Sequence, residues 1–189
     1  MRTRLRPKHS DETLARIYAT PHDHTRWADH HLRVAVTSSI ARWVTAQYGC
    51  STVADLSCGD GAITGSLGLP KLSEHLGDLA PGYQYTGPIE KTIHLVPNVD
   101  LFICSETIEH LDDPDTVLYE IGQVAETLVV STPIGETAEV GNLEHYWGWD
   151  TVDVTDMLEN AGWETVVSSV LELPGWTYDY QIHACRRRP

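Results

Sequence analysis

Two short, unbroken apolar runs constrain this chain more than anything else in it: LFIC at 101–104 and LVVS at 128–131. A run without polar alternation suits a strand buried on both faces, and such strands belong to sheets covered by helices on both sides. Between the two runs the pattern changes period. Pro114 follows Asp113 as a first helical residue, and Val117, Leu118, Ile121, Val124, Ala125 and Leu128 make one apolar stripe. Asp150 to Ala161 repeats the scheme, with Val154, Met157, Leu158 and Ala161 turned inward and Gly162 as the stop. Further short apolar segments lie at Thr52–Leu56, Glu74–Leu79, Tyr83–Thr86, Trp163–Val170 and Tyr180–Cys185. Strand and helix alternation of this kind predicts an α/β fold, a three-layer sandwich around a mostly parallel sheet.

The first quarter of the chain has a helical texture instead. Ser10 before Asp11 and Glu12 reads as a capped helix start, which ends before Pro21. From Thr25 to Tyr48, Trp27, Val34, Ile40, Trp43 and Val44 recur at helical intervals, and Gly49 suits the left-handed residue after a helix. His22, His24, His30 and His31 surround Trp27; a helix there splits them between faces, so a plain helical surface explains them better than a metal site. At 189 residues and 41% hydrophobic content the chain makes one domain, 1–189, with a helical segment over 1–49 and an α/β core over 50–189.

Charge narrows the class of partner. The net charge is −14, and Arg2, Arg4, Arg6, Lys8, Arg186, Arg187 and Arg188 supply 7 of the 13 basic residues, leaving 6 between them against 27 acids. So acidic a body repels a phosphate backbone, which argues against extended nucleic acid as a partner and for a small molecule. There is no apolar stretch of membrane-spanning length and none behind the basic N-terminus, which predicts a soluble, cytoplasmic protein with no membrane partner. Cys50, Cys58, Cys104 and Cys185 lack the spacing of a zinc knuckle or a disulfide framework.

In an α/β sandwich, ligands bind at the carboxyl ends of the strands, and the first strand-to-helix turn here reads VADLSCGDGAIT. Gly59 and Gly61 let backbone pass close to a ligand, and Asp55 ends the strand with a carboxylate. Asp78, 17 residues beyond Gly61, closes the candidate second strand, where an acid is placed to accept both hydroxyls of a ribose. An ordinary turn followed by a surface acid fits this stretch equally well.

The segments ADLSCGDGAIT, GDLA, VDLFICSETIEHLDDP and LVVSTP together resemble, in order and spacing, the class I S-adenosylmethionine-dependent methyltransferases, over Val53 to Arg187. The resemblance implies a Rossmann-like sheet with an antiparallel last strand and an N-terminal helical lid from which Tyr18, His22, Trp27 and Arg33 reach the acceptor. It also implies a cofactor site formed by Asp55, Ser57, Gly59, Asp60, Gly61, Leu79 and Glu106, with Asp78 on the ribose and Ile89 near the adenine. Three departures stand out. Ser57 replaces the usual first glycine, which requires a negative φ there. APGY leads straight into the third strand, so the helix between the second and third strands is expected to be missing. Pro88 stands where the family often has an acid.

SETIEHLDDP, 105–114, places Glu106, Glu109 and His110 at i, i+3 and i+4, so that a helical turn would bring them to one face. Two carboxylates and an imidazole suit Mg²⁺ or Mn²⁺. His145, in NLEHYWGWDT, offers a fourth ligand, and E-x-x-E-H with a later histidine resembles the metal-dependent 2′-O-methyltransferases of small-RNA 3′ ends. Similar segments occur in ubiquinone-pathway O-methyltransferases. The metal set is then Glu106, Glu109, His110 and His145; Glu109, His110 and His145 are also the catalytic candidates. Trp27, Trp147 and Trp149 are candidates for an aromatic wall around the acceptor. Glutamates that shape a helix start and a histidine packed at the sheet edge are the plainer alternative. The expected activity is methyl transfer from S-adenosylmethionine to a hydroxyl of a small molecule. A terminal ribose of RNA as acceptor and a non-catalytic cofactor-binding protein are the alternatives; acceptor and oligomeric state are not decided by fold.

Overall fold

The computed structural model describes residues 1–19, 28–68 and 75–189. In chain order the elements are β1 (Thr3–Arg4), α1 (Asp11–Ile17), α2 (Ala28–Tyr48), β2 (Val53–Asp55), α3 (Ala62–Gly65), β3 (Gly77–Asp78), β4 (Tyr85–Thr86) and α4 (Ile89–Thr92). They continue with β5 (Val99–Ser105), α5 (Pro114–Val124), β6 (Ala125–Ile134), β7 (Trp147–Gly148), α6 (Thr151–Asn160), β8 (Trp163–Leu171) and β9 (Asp179–Arg187).

The main sheet has the order β2-β5-β6-β9-β8. β2, β5 and β6 pair in parallel, whereas β9 runs antiparallel to both β6 and β8. A parallel bridge between Asp55 and Leu76 joins the short β3–β4 pair to the free edge of β2. Chain order therefore moves outward from β2 on one side and restarts at β5 on the other. Such a reversal opens a crevice at the carboxyl ends of β2 and β5.

Alternation along the strands builds the layers. Phe102, Cys104, Leu128 and Val130 face α5 and α6 with Val117, Leu118, Ile121, Val154 and Leu158. Leu101, Ile103 and Val129 face the other way, onto Ala41 and Val44 of α2 and Ile63 of α3. Both faces of β5 and β6 are thus buried, which is why their sequences show no polar alternation. α5 ends at Val124, earlier than its stripe implies, because Ala125 already belongs to β6. Asp113 and Asp150 cap α5 and α6 with their carboxylates, Asp150 in a reciprocal capping box with Asp153. Ser10 caps α1, accepting from the Thr13 amide at 3.3 Å, and Gly49 has φ 66°.

No helix separates β3 from β4, in line with the short APGY stretch. Only a glycine fits at 77: a Cβ there would stand 2.6 Å from the Tyr85 carbonyl oxygen and 2.9 Å from Leu56 Cδ2. The segment expected to serve as a lid up to residue 49 differs from expectation. Residues 28–48 form one sandwich helix, whose buried face is polar near its start (His30, Arg33, Thr37, Ser38) and apolar near its end (Ala41, Val44). Trp43, expected inward, is 43% exposed. The inward side of α2 first faces the crevice and only then the core, so apolar periodicity misjudges its orientation. Trp27, His22 and His24 lie outside the described residues. Among the described residues no helix is long and apolar enough to cross a membrane.

Candidate functional site

A cavity of about 540 Å³ opens at the carboxyl ends of β2 and β5. One wall is the glycine turn. Gly59 (φ 54°) and Gly61 (φ 73°) take left-handed conformations that L side chains avoid, and Ser57 does not, so a serine is tolerated at the first position. The Gly59 amide donates to Asp78 Oδ2 at 2.9 Å and the Ala80 amide to Asp78 Oδ1 at 2.9 Å. These bonds fix the Asp78 carboxylate at the end of β3, beside the turn. Thr107 Oγ1 donates to Ser57 Oγ at 2.6 Å, tying the turn to the end of β5. Asp55, Ser57, Gly59, Asp60, Asp78, Leu79, Ile89 and Glu106 all line the cavity; Gly61 stands just behind it as the residue before α3. Asp55 is 3% exposed, and burial pushes its carboxyl up to about 8.

Beyond the turn, SETIEHLDDP does not form the helical turn its spacing suggests. Glu106 has φ 52°, which among the described residues makes it the one non-glycine with positive φ, and only Ile108–His110 coil, as a 3₁₀ turn. The kink separates the two glutamates. Glu106 accepts from Ser131 Oγ at 2.9 Å, and its other oxygen lies 3.8 Å from Arg33 Nε. Burial raises its carboxyl pKa, which Arg33 opposes. Glu109 points elsewhere: it is fully buried and accepts from Thr132 Oγ1 at 3.0 Å through Oε2.

Glu109, His110 and His145 form a cluster whose ligand-type atoms lie within 4.8 Å of one another. Glu106 is not part of it, whereas the set expected from spacing and from the resemblance had four residues. Glu109 Oε1 is buried and has no hydrogen-bond partner; His110 Nε2 stands 3.9 Å away. Burial, and next the charge of Glu106, raise the Glu109 carboxyl well above the usual range. His110 Nδ1 lies 2.9 Å from the Glu144 carbonyl oxygen, which only accepts, so a neutral ring carries its proton on Nδ1. His145 Nδ1 lies 2.6 Å from Glu136 Oε2, which likewise places the proton of a neutral ring on Nδ1. The two imidazoles meet edge to face, with centroids 4.6 Å apart. One carboxylate and two imidazoles this close together are a donor set that, with the rings neutral, fits a divalent cation.

Trp147 and Trp149 do not line the cavity as the expected acceptor wall. Trp149 is 5% exposed and packs in the core, donating to Thr132 Oγ1 and the Pro133 carbonyl. Trp147 lies on β7, donates to the Leu111 carbonyl and stacks under Arg2 at 4.1 Å and Arg4 at 4.7 Å. Tyrosines line the cavity instead: Tyr18, Tyr146, Tyr178 and Tyr180. Tyr18 donates to Glu144 Oε2 at 2.9 Å and Tyr180 to Asp29 Oδ2 at 3.0 Å.

No family model matches the chain, and no curated protein matches it. Solved structures do. The 1,6-didemethyltoxoflavin-N1-methyltransferase of Burkholderia thailandensis, with 1,6-didemethyltoxoflavin and S-adenosylhomocysteine bound, is 16% identical with a TM-score of 0.69, over 97% of this chain and 93% of that one. The N-methyltransferase NodS of Bradyrhizobium japonicum, with S-adenosylhomocysteine, is 15% identical with a TM-score of 0.65, over 94% and 98%. Magnesium protoporphyrin IX methyltransferase of Synechocystis, with S-adenosylhomocysteine, is 18% identical with a TM-score of 0.58, over 93% of each chain. The fold is that of the class I S-adenosylmethionine-dependent methyltransferases.

Sequence motifs pass over three residues that this methyltransferase fold brings to the cavity region: Glu136, Tyr178 and Tyr180. The tyrosines arrive because β9 is antiparallel, so its first residues lie where the parallel strands end; Tyr180 pairs in register with Pro133. The antiparallel last strand of a methyltransferase sheet was the available signal for them. Glu136 follows β6 by two residues, and nothing in its spacing marks it.

Proposed function

We propose that this chain transfers the methyl group of S-adenosylmethionine to a hydroxyl oxygen of a small-molecule acceptor, with Mn²⁺ or Mg²⁺ held by Glu109, His110 and His145. One observation carries the reading: a fully buried glutamate with an unpaired oxygen, clustered with two imidazoles that each have an acceptor partner at Nδ1. An unpaired buried acceptor costs about 1–3 kcal/mol, a cost that a ligand to Oε1 removes. A neutral amine has its own lone pair and would need no such device. A hydroxyl does, because it attacks well only once its proton leaves.

The chain's own residues divide the work. Asp78, fixed by two amides, accepts from the ribose hydroxyls; Asp55 and Glu106 offer negative charge to a cationic ligand; Leu79 and Ile89 cover the adenine. When bound, S-adenosylmethionine supplies a methyl on a positively charged sulfur. A divalent ion, when bound, lowers the pKa of an oxygen that touches it and orients that oxygen. One carboxylate with two imidazoles suits Mn²⁺ better than Mg²⁺. Without an ion, the Nε2 of His110 or His145 takes the acceptor's proton. Tyr18, Tyr146, Tyr178 and Tyr180 exclude water and flank a planar acceptor. Two of the neighbours named above are a 1,6-didemethyltoxoflavin-N1-methyltransferase and a magnesium protoporphyrin IX methyltransferase, which supports a small acceptor.

Calorimetric titration of Mn²⁺ into protein saturated with S-adenosylhomocysteine tests the centre. One-site binding in the parent, lost in Glu109→Gln, is expected; no binding in the parent overturns the metal part and leaves a histidine base. Acceptor binding should depend weakly on salt, whereas a steep dependence would point to a terminal ribose of RNA. Tight cofactor binding without turnover across a broad acceptor panel would point to a non-catalytic protein.

A further inference from the structure

Behind His145 lies a carboxylate that no motif identifies. Glu136 has a side chain 2% exposed and accepts at both oxygens, from the Asn142 amide at 2.9 Å through Oε1 and from His145 Nδ1 at 2.6 Å through Oε2. Two glycines make room for it. A Cβ on Gly141 would stand 2.4 Å from Glu136 Oε1, and one on Gly148 2.5 Å from the Glu136 carbonyl oxygen. The chain between these glycines carries Asn142 and His145, so it closes around the Glu136 carboxylate.

We infer that Glu136 is the positioning residue of the site: it holds His145 in the Nδ1–H tautomer with the Nε2 lone pair turned to Glu109 and His110. The role rests on the function proposed above, and it is the same whether Nε2 binds an ion or takes a proton. A carboxylate is required because it can receive two donors on two oxygens. Glutamine has one acceptor oxygen, so in Glu136→Gln either the Asn142 amide or the imidazole loses its partner. An outer carboxylate of this kind fixes the orientation of the imidazole in front of it.

Nitrogen-15 NMR of the histidine side chains, at a pH where imidazole is neutral, reads the tautomer directly. The parent should show His145 as the Nδ1–H form with a far-downfield proton, and Glu136→Gln should show a mixed or Nε2–H form. In the same variant Mn²⁺ affinity should fall about 10- to 100-fold. Affinity for S-adenosylhomocysteine should hold, because the glycine turn and Asp78 are untouched. Gly141→Ala, which leaves Glu136 chemically intact and crowds it, should shift the tautomer the same way. An Nε2–H tautomer in the parent overturns the assignment without recourse to any variant. So does an unchanged tautomer in a folded Glu136→Gln protein. The Nδ1–H signature, lost on substitution, supports it even where no acceptor is methylated, since that failure belongs to the proposed reaction.

Discussion

At the scale of single residues, the site is built from acids that the fold keeps out of water. Glu109 accepts from Thr132 on one side and from nothing on the other. In Glu109→Gln no ionisable group is buried there, so at a pH where the carboxyl would be ionised the metal-free protein should gain about 1 kcal/mol. Thermal melting without divalent ions should then show a Tm about 2–4 °C higher; a lower Tm would mean that Oε1 already has a partner. Asp55 makes a pH-dependent prediction. Its carboxyl is raised from an ordinary 3.8 to about 8 by burial, so it holds a proton at neutral pH in the ligand-free protein. The stability it contributes is full below pH 3.8 and is lost as pH rises through about 8, and Asp55→Asn should flatten that decline. Binding of a ligand with a positive amino group should expel the proton. Calorimetry at neutral pH in buffers of different ionisation enthalpy should therefore detect proton release with S-adenosylhomocysteine, and none in Asp55→Asn.

At the scale of elements, the cavity wall that carries Asp78 depends on strands only two residues long. β3 and β4 keep their places because Gly77 lets Tyr85 and Leu56 approach its bare Cα. Gly77→Ala forces backbone against side chain and should cost about 1–3 kcal/mol. It should also weaken S-adenosylhomocysteine binding more than Mn²⁺ binding, since Asp78 is the next residue and the histidine cluster is not. Equal losses in both titrations would show that the damage spreads through the sheet. The helix stripes at 114–124 and 151–160 were legible because their apolar residues face a uniform core. α2 was not, because its inward face crosses from cavity to core, and polar His30 and Arg33 are buried near its start whereas Ala41 and Val44 are buried farther along.

At the scale of the whole molecule, charge is segregated. Arg2 pairs with Asp115, Arg4 with Asp112 at 2.6 Å and Lys8 with Glu90 at 3.0 Å, so the basic N-terminal arm lies along the acidic body. Its β1 pairs with β7, and the Leu5 amide donates to the Tyr146 carbonyl at 2.8 Å, next to His145. Exposed ion pairs contribute about 0–1 kcal/mol each and weaken with salt. Hydrogen exchange at Thr3 to Leu5 should therefore speed up at high salt, and more so in Arg4→Glu at low salt. Exchange that ignores salt would assign the arm's seating to its strand pairing and to the stacking on Trp147.

Local rules determined the parts of this protein that local rules govern. Caps at Ser10, Asp113 and Asp150, the doubly buried strands at 101–104 and 128–131, and the glycines at 59 and 61 each follow from one residue and its near neighbours. Ser57 met the condition on its φ. What E-x-x-E-H would become was not local. Spacing assigned Glu106 and Glu109 to one helical face, and a left-handed residue at 106 split them, sending one to Arg33 and Ser131 and the other to the histidines. Trp147 and Trp149, near His145 in sequence, turned away, while Tyr178, Tyr180 and Glu136 came in from distant or unmarked positions. The direction of β9 and the closure of the chain around Glu136 decide this. Both depend on contacts between residues far apart in the chain, whose energies no window of neighbouring residues contains.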